Sequence, residues 1–305
     1  MLPPDDFDPQ IGLAETLEPG VRRIVAPNPS PMTYRGTNTY LLGTTDICVI
    51  DPGPDDPNHL QAIRAAIKDG QRISHIVVTH AHLDHSPLAR GLADACEGDV
   101  PIYAFGPADA GMSDVMRQLR TTGLAGGGEG IDTHFAPDVC LKDGEELSAE
   151  GWTLRALHTP GHIGNHLCLA WGEACFTADH VMGWASSLVS PPDGDLTDFM
   201  ASCAKLQAEE WRVFYPGHGA AIDAPASRLE WLVNHRLGRE KDILEGLGNG
   251  PANAATLAGA IYTDIPNALV PVAARNVFAH LIDLSGQGRV SFESPLHEAS
   301  HFTLI

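Results

Sequence analysis

Residues 79–85 read Thr-His-Ala-His-Leu-Asp-His, so His80, His82, Asp84 and His85 fall within six positions. Imidazoles and a carboxylate packed this closely compete for protons unless a cation holds them together. Neutral imidazole and carboxylate are donors that Zn²⁺ and related divalent ions accept. The run before the cluster, Ile73 to Thr79, is β-branched and apolar, as in a buried strand. The run after it, from Ser86 through Pro87, Leu88, Leu92 and Cys96, has helical spacing with Pro87 in a first turn. The cluster therefore sits on a strand-to-helix loop, where binding and catalytic groups concentrate. Any fold for this chain has to present that loop from the end of a strand.

Strand and helix signals alternate on either side of it. Thr39 to Leu42 and Ile47 to Ile50 read as paired strands ending at Asp51-Pro52-Gly53-Pro54. A helix from Pro57 follows, with Asp56 as N-cap, an apolar stripe at Leu60, Ile63, Ala66 and Ile67, and Gly70 as its stop. Val100 to Phe105 makes a further strand. Residues 107–137 are irregular, with a short helix from Met112 to Leu119 and a Gly126-Gly127-Gly128 stretch, and the segment suits a mobile loop or an insertion at the rim of a site. A second strand-rich block holds Trp152 to Leu157, His166 to Trp171, Ala174 to Thr177 and Arg212 to Tyr215. A helix carrying Phe199, Cys203 and Leu206 lies between the last two. Such halves fit helix-covered stacked sheets better than one parallel doubly wound sheet. From Pro225 the pattern turns helical, with Leu229, Leu232, Val233, Leu237, Ile243 and Leu247 recurring over 226–247. After a break at Gly248-Asn249-Gly250-Pro251, short helices at Ala254 to Tyr262 and Val270 to Leu284 precede a strand at Arg289 to Phe292. The expected division is a catalytic domain over 1–222 and a small winged-helix-like domain over 223–305.

Charge narrows the partners. With 19 basic against 39 acidic residues the net charge is −20, which disfavours RNA and other phosphate backbones as partners. The six cysteines (Cys48, Cys96, Cys140, Cys168, Cys175, Cys203) show no Cys-x-x-Cys pairing and mostly apolar neighbours, so buried free thiols are expected. No apolar run reaches bilayer-spanning length, and the N-terminal residues lack the character of a secretory signal or transit peptide. A cytoplasmic protein with no membrane partner is expected, and a homo-oligomer is compatible with the sequence.

Partners for the first cluster recur in similar settings. His162 in His158-Thr159-Pro160-Gly161-His162, Asp179 in Phe176-Thr177-Ala178-Asp179-His180, and His218 in Tyr215-Pro216-Gly217-His218-Gly219 each follow a strand. The small residues and prolines around them let a loop approach an ion closely. Seven such ligand-type residues suit two ions with one carboxylate between them. The set, His-x-His-x-Asp-His followed by separate His, Asp and His, resembles the signature of the metallo-β-lactamase superfamily over roughly residues 20–222.

That resemblance implies fold class α+β: an αββα four-layer sandwich followed by the small C-terminal winged-helix-like domain. It implies two divalent ions, Zn²⁺ first and Fe or Mn as alternatives. His80, His82 and His162 would hold one. Asp84, His85 and His218 would hold the other, with Asp179 and a hydroxide bridging both and Asp84 also orienting that hydroxide. Zinc β-lactamases lack the bridging Asp, and diiron electron-transfer relatives usually carry Glu where His82 stands. The pattern is therefore similar to the glyoxalase II and ribonuclease-type hydrolytic branch. A closer likeness, to the group around beta-lactamase-like protein 2, rests on Asn38-Thr39-Tyr40-Leu41, Thr159 to His162, Tyr215 to Gly219, His235-Arg236 with Arg239-Glu240, and the C-terminal piece. That group includes an endoribonuclease, and related enzymes of polyketide pathways are thioesterases. The acidic balance and the segment from Gly183 to Leu196 depart from it.

The function expected is a dinuclear metal-dependent hydrolase acting on a small-molecule ester, thioester or related acyl substrate. The alternatives are an endoribonuclease or other phosphodiesterase and, from a different class, a DNA-binding regulator. An acyl hydrolase calls for a narrow apolar cleft, a phosphodiesterase for a basic channel, and a regulator for a basic C-terminal face. Asp51 reads either as an acceptor that orients the metal loop or as a turn residue. His158, His166 and His180 read as hydrogen-bonding neighbours of the ligands. Trp184, Leu188 and Val189, with Pro191 and Pro192, read as pocket walls or as core. His235 and Arg236, with Arg239, read as helix-borne groups that meet an anionic substrate or form an interdomain face. Arg275 and Asn276 carry too little charge to read a DNA groove, so the C-terminal domain is expected to pack, dimerise or shape the pocket.

Overall fold

The computed structural model describes residues 7–124, 126–127, 130–263, 266 and 269–305. Gly128 of the glycine stretch lies outside the described residues. The first sheet keeps sequence order: β1 (Glu15–Glu18), β2 (Val21–Val25), β3 (Asn38–Leu42), β4 (Asp46–Ile50), β5 (Arg72–Val77), β6 (Ile102–Ala104) and β7 (Val139–Cys140). Pairing is antiparallel up to β4 and parallel from β4 to β7. Parallel neighbours need crossovers, and α1 (Pro57–Ala65) and α2 (Leu88–Asp94) supply the first two. The α1 start is capped as its sequence implies, Asp56 Oδ1 accepting from the N–H groups of Asn58 and His59. It ends at Ala65, well before Gly70.

The second sheet runs in the order β12 (Val213–Pro216), β11 (Ala174–Ala178), β10 (Leu167–Trp171), β9 (Trp152–His158), β8 (Glu146–Ala149). It is antiparallel except for β11–β12, which α4 (Leu196–Gln207) joins in parallel. Alternation along the strands sorts the core into layers. On β4, Ile47 and Val49 pack with Ile63, Leu88 and Leu92 of the helices. Cys48 and Ile50 face the second sheet and meet Leu154, Leu167, Leu169 and Phe176. Cys175 on β11 points the other way, into Phe199, Cys203 and Leu206 of α4. Helix, sheet, sheet and helix thus stack as the αββα, α+β arrangement.

The C-terminal part holds α5 (Pro225–Leu247), α6 (Ala254–Ile261), α7 (Val270–Gly286) and the hairpin of β13 (Val290–Phe292) with β14 (Phe302–Leu304). Helix α5 belongs to both cores: Leu229 and Leu232 pack on the α4 side, Ile243 and Leu247 with α6 and α7. The irregular stretch contains the expected short helix, α3 (Asp114–Thr121), whose Met116 and Leu119 are buried in the C-terminal core, while Gly127 further on lines a pocket with His82 and His162. The wholly buried β2, Val-Arg-Arg-Ile-Val, escaped notice because two arginines occupy its centre. Of the cysteines, all free, Cys140 is exposed and Cys96 half-buried, while the other four are buried. Among the described residues no helix is long and apolar enough to cross a membrane.

The C-terminal ends of five strands, β4, β5, β9, β11 and β12, meet at one edge of the sandwich. Register pairs Ile50 with Val77 and Ala178 with Pro216. Across the sheets, Leu167 N–H donates to the Thr79 carbonyl (2.8 Å) and Asn38 N–H to that of Gly217 (2.7 Å).

Candidate metal centre

That edge gathers residues distant in sequence. His80, His82, Asp84 and His85 leave β5, Asp51 follows β4, His162 follows β9, Asp179 follows β11 and His218 follows β12. Asp51 (φ 51°) and Ala178 (φ 43°) hold left-handed backbone at the ends of β4 and β11, a strain of about 1–3 kcal/mol each that concentrates at functional sites. Gly217 is required by closeness: a Cβ there would lie 2.2 Å from Asp179 Oδ1 and 2.9 Å from His85.

One group is a trio of imidazoles. Nδ1 of His82 lies 3.0 Å from Nε2 of His80 and 3.0 Å from Nε2 of His162. Asp179 Oδ2 is 3.6 Å from His162 Nε2. The other group is ionic. Asp84 Oδ2 lies 3.3 Å from His85 Nε2 and 3.2 Å from His218 Nε2. Asp179 reaches this group too, Oδ1 at 3.5 Å from His85 and Oδ2 at 3.3 Å from His218. All seven side chains are buried.

Five of the seven are backed by a further contact, which fixes their aim. His80 Nδ1 meets Thr79 Oγ1 (3.0 Å), His162 Nδ1 the Leu188 carbonyl (2.8 Å), and His218 Nδ1 the Gly36 carbonyl (3.2 Å). His85 Nδ1 lies 2.8 Å from Asp51 Oδ2, and Thr37 Oγ1 donates to Asp84 Oδ2 at 3.1 Å. Asp51 also accepts from Thr79 N–H and Oγ1–H, both at 2.7 Å. Its oxygens thus meet Thr79 of the metal loop and His85, and Asp51 lies close enough to His80 and His85 to count as a donor itself.

Charge separates the two groups. Burial, with neighbouring imidazoles adding, holds His82 down to about 3 and His80 well below the usual imidazole range. Burial lowers His162 too. Burial alone would also lower His85 and His218, but Asp84 and Asp179 overcome it, placing His218 near about 10 and His85 well above its ordinary value. The carboxyls of Asp84 and Asp179 are in turn held low by His85 and His218 against their burial.

A divalent ion fits the donor set. A single hydrogen on His82 Nδ1 can satisfy only one of the two Nε2 atoms facing it. His85 Nε2 and Asp179 Oδ1 are buried with no hydrogen-bond partner, which is costly unless something else occupies them. Ligand atoms of His80, His82, His162 and Asp179 lie within 4.8 Å of one another, as do those of Asp84, His85 and His218. The cleft above is walled by Met32, Met182 and Leu188, with Ser190 and Asp193 beside them. A second cavity of about 560 Å³ shares Gly127 and Asp193 with it. Arg120 on its wall pairs with Asp193 at 3.1 Å.

With the geometry in place, comparison with known proteins is decisive. Residues 32–218 match the family model of the metallo-beta-lactamase superfamily. The chain belongs to the metallo-beta-lactamase superfamily. As a member, it is a metal-dependent hydrolase with a metal site of His and Asp donors. Residues 254–295 match the beta-lactamase associated winged helix domain. A beta-lactamase-like protein 2 homolog of Drosophila melanogaster is 32% identical, covering 90% of each chain. An atrochrysone carboxyl ACP thioesterase of Aspergillus fumigatus is 31% identical over 85% of this chain and 78% of that protein. The crystal structure of a beta-lactamase domain protein from Burkholderia ambifaria superposes with a TM-score of 0.81 at 20% identity, over 100% of this chain and 97% of that one, which shows the shared fold.

Other residues singled out in the metallo-beta-lactamase chain divide. Leu188 lines the cleft, while Val189 is fully buried in the α4-side core and Pro192 lines the outer cavity. Trp184 does not line the cleft at the His and Asp cluster; it stacks on Tyr34 (5.1 Å, 16°) and lines a separate cavity with Trp231 and Arg228. His235 stacks on Trp231 (5.0 Å). Arg236 does not meet a substrate, because it is buried and donates to Asn276 Oδ1 (3.0 Å) and the Ser187 carbonyl. His158 stacks on Phe105, His166 meets Thr159 Oγ1 (2.9 Å) and His180 packs on Phe199. Thr37 and Asp193 were not foreseen. Each depends on contacts distant in sequence, and only their places beside the Asn38 strand and in the Pro-Pro-Asp-Gly turn gave any signal.

Proposed function

We propose that this enzyme is a dinuclear hydrolase of a small ester, thioester or related acyl compound. His80, His82 and His162 would hold one ion, and Asp84, His85 and His218 the second, with Asp179 within reach of both groups. Zn²⁺ suits these donors, as iron or manganese would. The convergence of two Nε2 atoms at 3.0 Å on one Nδ1 carries the reading. Once bound, such ions supply Lewis acidity toward a carbonyl oxygen and bring the ionisation of water into the neutral range.

The chain's own residues do the rest. Asp84, held by Thr37, presents its carboxylate to the reacting edge. Met32, Met182 and Leu188 exclude water and receive the apolar part of the acyl group. The cleft suits an acyl compound better than a phosphodiester, because its ionisable lining besides imidazole is Asp84, Asp179 and Asp193. Among the described residues lining the outer cavity, the one cation, Arg120, is paired with Asp193. The thioesterase among the relatives supports the same class. A DNA-reading role finds little support, since Arg275 and Asn276 are engaged with residues 189–191.

The reading assigns catalysis to 1–222 and support to 223–305, with α5 shared, and free thiols suit a cytoplasmic setting. A panel of thioesters, lactones, phosphodiesters and short RNAs tests it on metal-loaded protein beside Asp179→Ala. Thioester or ester turnover that disappears in Asp179→Ala supports the reading. Turnover confined to phosphodiesters or RNA would overturn the acyl assignment.

A further inference from the structure

His162 is aimed by one contact from behind. With Nδ1 donating to the Leu188 carbonyl at 2.8 Å, its Nε2 lone pair faces His82 and Asp179. That carbonyl belongs to residues 186–190, which have no regular secondary structure. Something must hold them, or the carbonyl and the ring would drift together.

The catalytic half holds the ends of this stretch: Ser187 Oγ donates to the His180 carbonyl at 2.8 Å, and the Ser190 carbonyl accepts from the N–H groups of Asp193 (3.0 Å) and Gly194 (2.9 Å). The C-terminal helices hold the backbone on either side of Leu188. Arg236 on α5 donates to the Ser187 carbonyl. Asn276 on α7 accepts the Val189 N–H at 3.2 Å through Oδ1, and the same oxygen accepts from Arg236 Nη1 at 3.0 Å. The backbone on either side of Leu188 is therefore gripped by two side chains that also bind each other. Arg236 is 3% exposed and lies over the Phe199 ring at 5.1 Å. None of these partners is a carboxylate. A guanidinium is costly to bury, and here the Ser187 carbonyl, the Asn276 amide oxygen and the Phe199 ring compensate it.

We propose that Arg236 and Asn276 are positioning residues for His162: the C-terminal helices clamp residues 187–189, and the Leu188 carbonyl passes that constraint to the ring. The proposal rests on His162 being a metal ligand. It has an asymmetric consequence, because His85 is backed by Asp51 and His218 by Gly36, neither of which touches the clamp.

The test is competitive chelator titration of the full chain with Zn²⁺, and the visible spectrum of the Co²⁺ form. Asn276→Leu keeps the branched shape and removes the acceptor; Asn276→Asp keeps an acceptor oxygen. Asn276→Leu is expected to weaken the ion at His80, His82 and His162 by about 10-fold or more and to shift its Co²⁺ bands. The ion at Asp84, His85 and His218 should stay within about 2-fold, and Asn276→Asp should restore both readouts. Should Asn276→Leu not fold, Arg236→Lys, which keeps the charge but not the guanidinium fork, is expected to show the same selective loss. Unchanged affinity at both sites, or equal weakening of both alongside a lower melting temperature, would overturn the clamp alone. A wild-type chain that binds no ion would overturn the metal reading and the clamp with it.

Discussion

The imidazole trio and the Asp84–His85–His218 group lie side by side, share Asp179, and meet the cost of burial in opposite ways. The trio stays neutral: burial keeps protons off His82 and His80, leaving lone pairs that face one another with little to hold them. The second group is already ionic, its imidazoles protonated by carboxylates only 3.2 and 3.3 Å away. A cation entering the trio meets free donors. One entering the second group has to expel protons. The two halves of one centre should therefore load with different affinity and different pH dependence.

The largest effect is expected from Asp179, the residue common to both halves. Asp179→Ala should lower kcat/KM by about 10⁴-fold, about 5.5 kcal/mol of barrier, and impair both ions. His82→Ala and His218→Ala come next and separate the halves. Each should cost about 10³-fold in kcat/KM, and elemental analysis should find one ion retained, in the second group for His82→Ala and in the trio for His218→Ala. Loss of both ions in either variant would mean that the halves do not bind independently.

Acidity sharpens the comparison. Ion-free His218 is raised to about 10 and His85 well above its ordinary value, so an ion that displaces both protons should weaken about 100-fold for each unit of pH lowered through the neutral range. The trio's ion should change far less, because His82 stays neutral down to about 3. Ion-free stability follows the same shifts with opposite signs. His82, depressed from 6.5 to about 3, adds stability as pH rises through that window. His218, raised from 6.5 to about 10, contributes fully below 6.5 and is lost as pH climbs toward 10. Urea midpoints of chelated protein should therefore rise from pH 4 to about 6.5 and fall by pH 9; a monotonic rise would contradict the assignment for His218. The smallest effect is expected from Asp51→Asn, which keeps an acceptor for Thr79 but weakens the hold on His85. It should loosen the second ion by about 10-fold and leave the trio's affinity unchanged in the same chelator titration.

The clustering of the candidate ligands was legible because their spacing is local or their settings repeat: a strand, small residues, then His or Asp. The stacked sheets were legible from β-branched runs such as Ile73 to Val78. What stayed hidden depends on contacts between distant residues. Strand β2 places Arg22 and Arg23 in a buried position only because Arg22 reaches Gln71 and Ala66 while Arg23 reaches Glu15 and Gly219. Arg236 read as part of a charged face. Yet it falls on the buried stripe of Leu229, Leu232, Ile243 and Leu247, and that register was the available sign that its guanidinium points inward. Asn276 carried no sign at all, since its role exists only where α7 meets residues 187–189.

The central claim, two adjoining ion sites built from seven buried donors, is tested most directly by counting ions. The full chain is loaded with excess Zn²⁺, freed of unbound metal by gel filtration and analysed for metal per chain. The account expects about two ions in the wild type and about one in His218→Ala. A wild-type chain that emerges folded and without stoichiometric metal would contradict it.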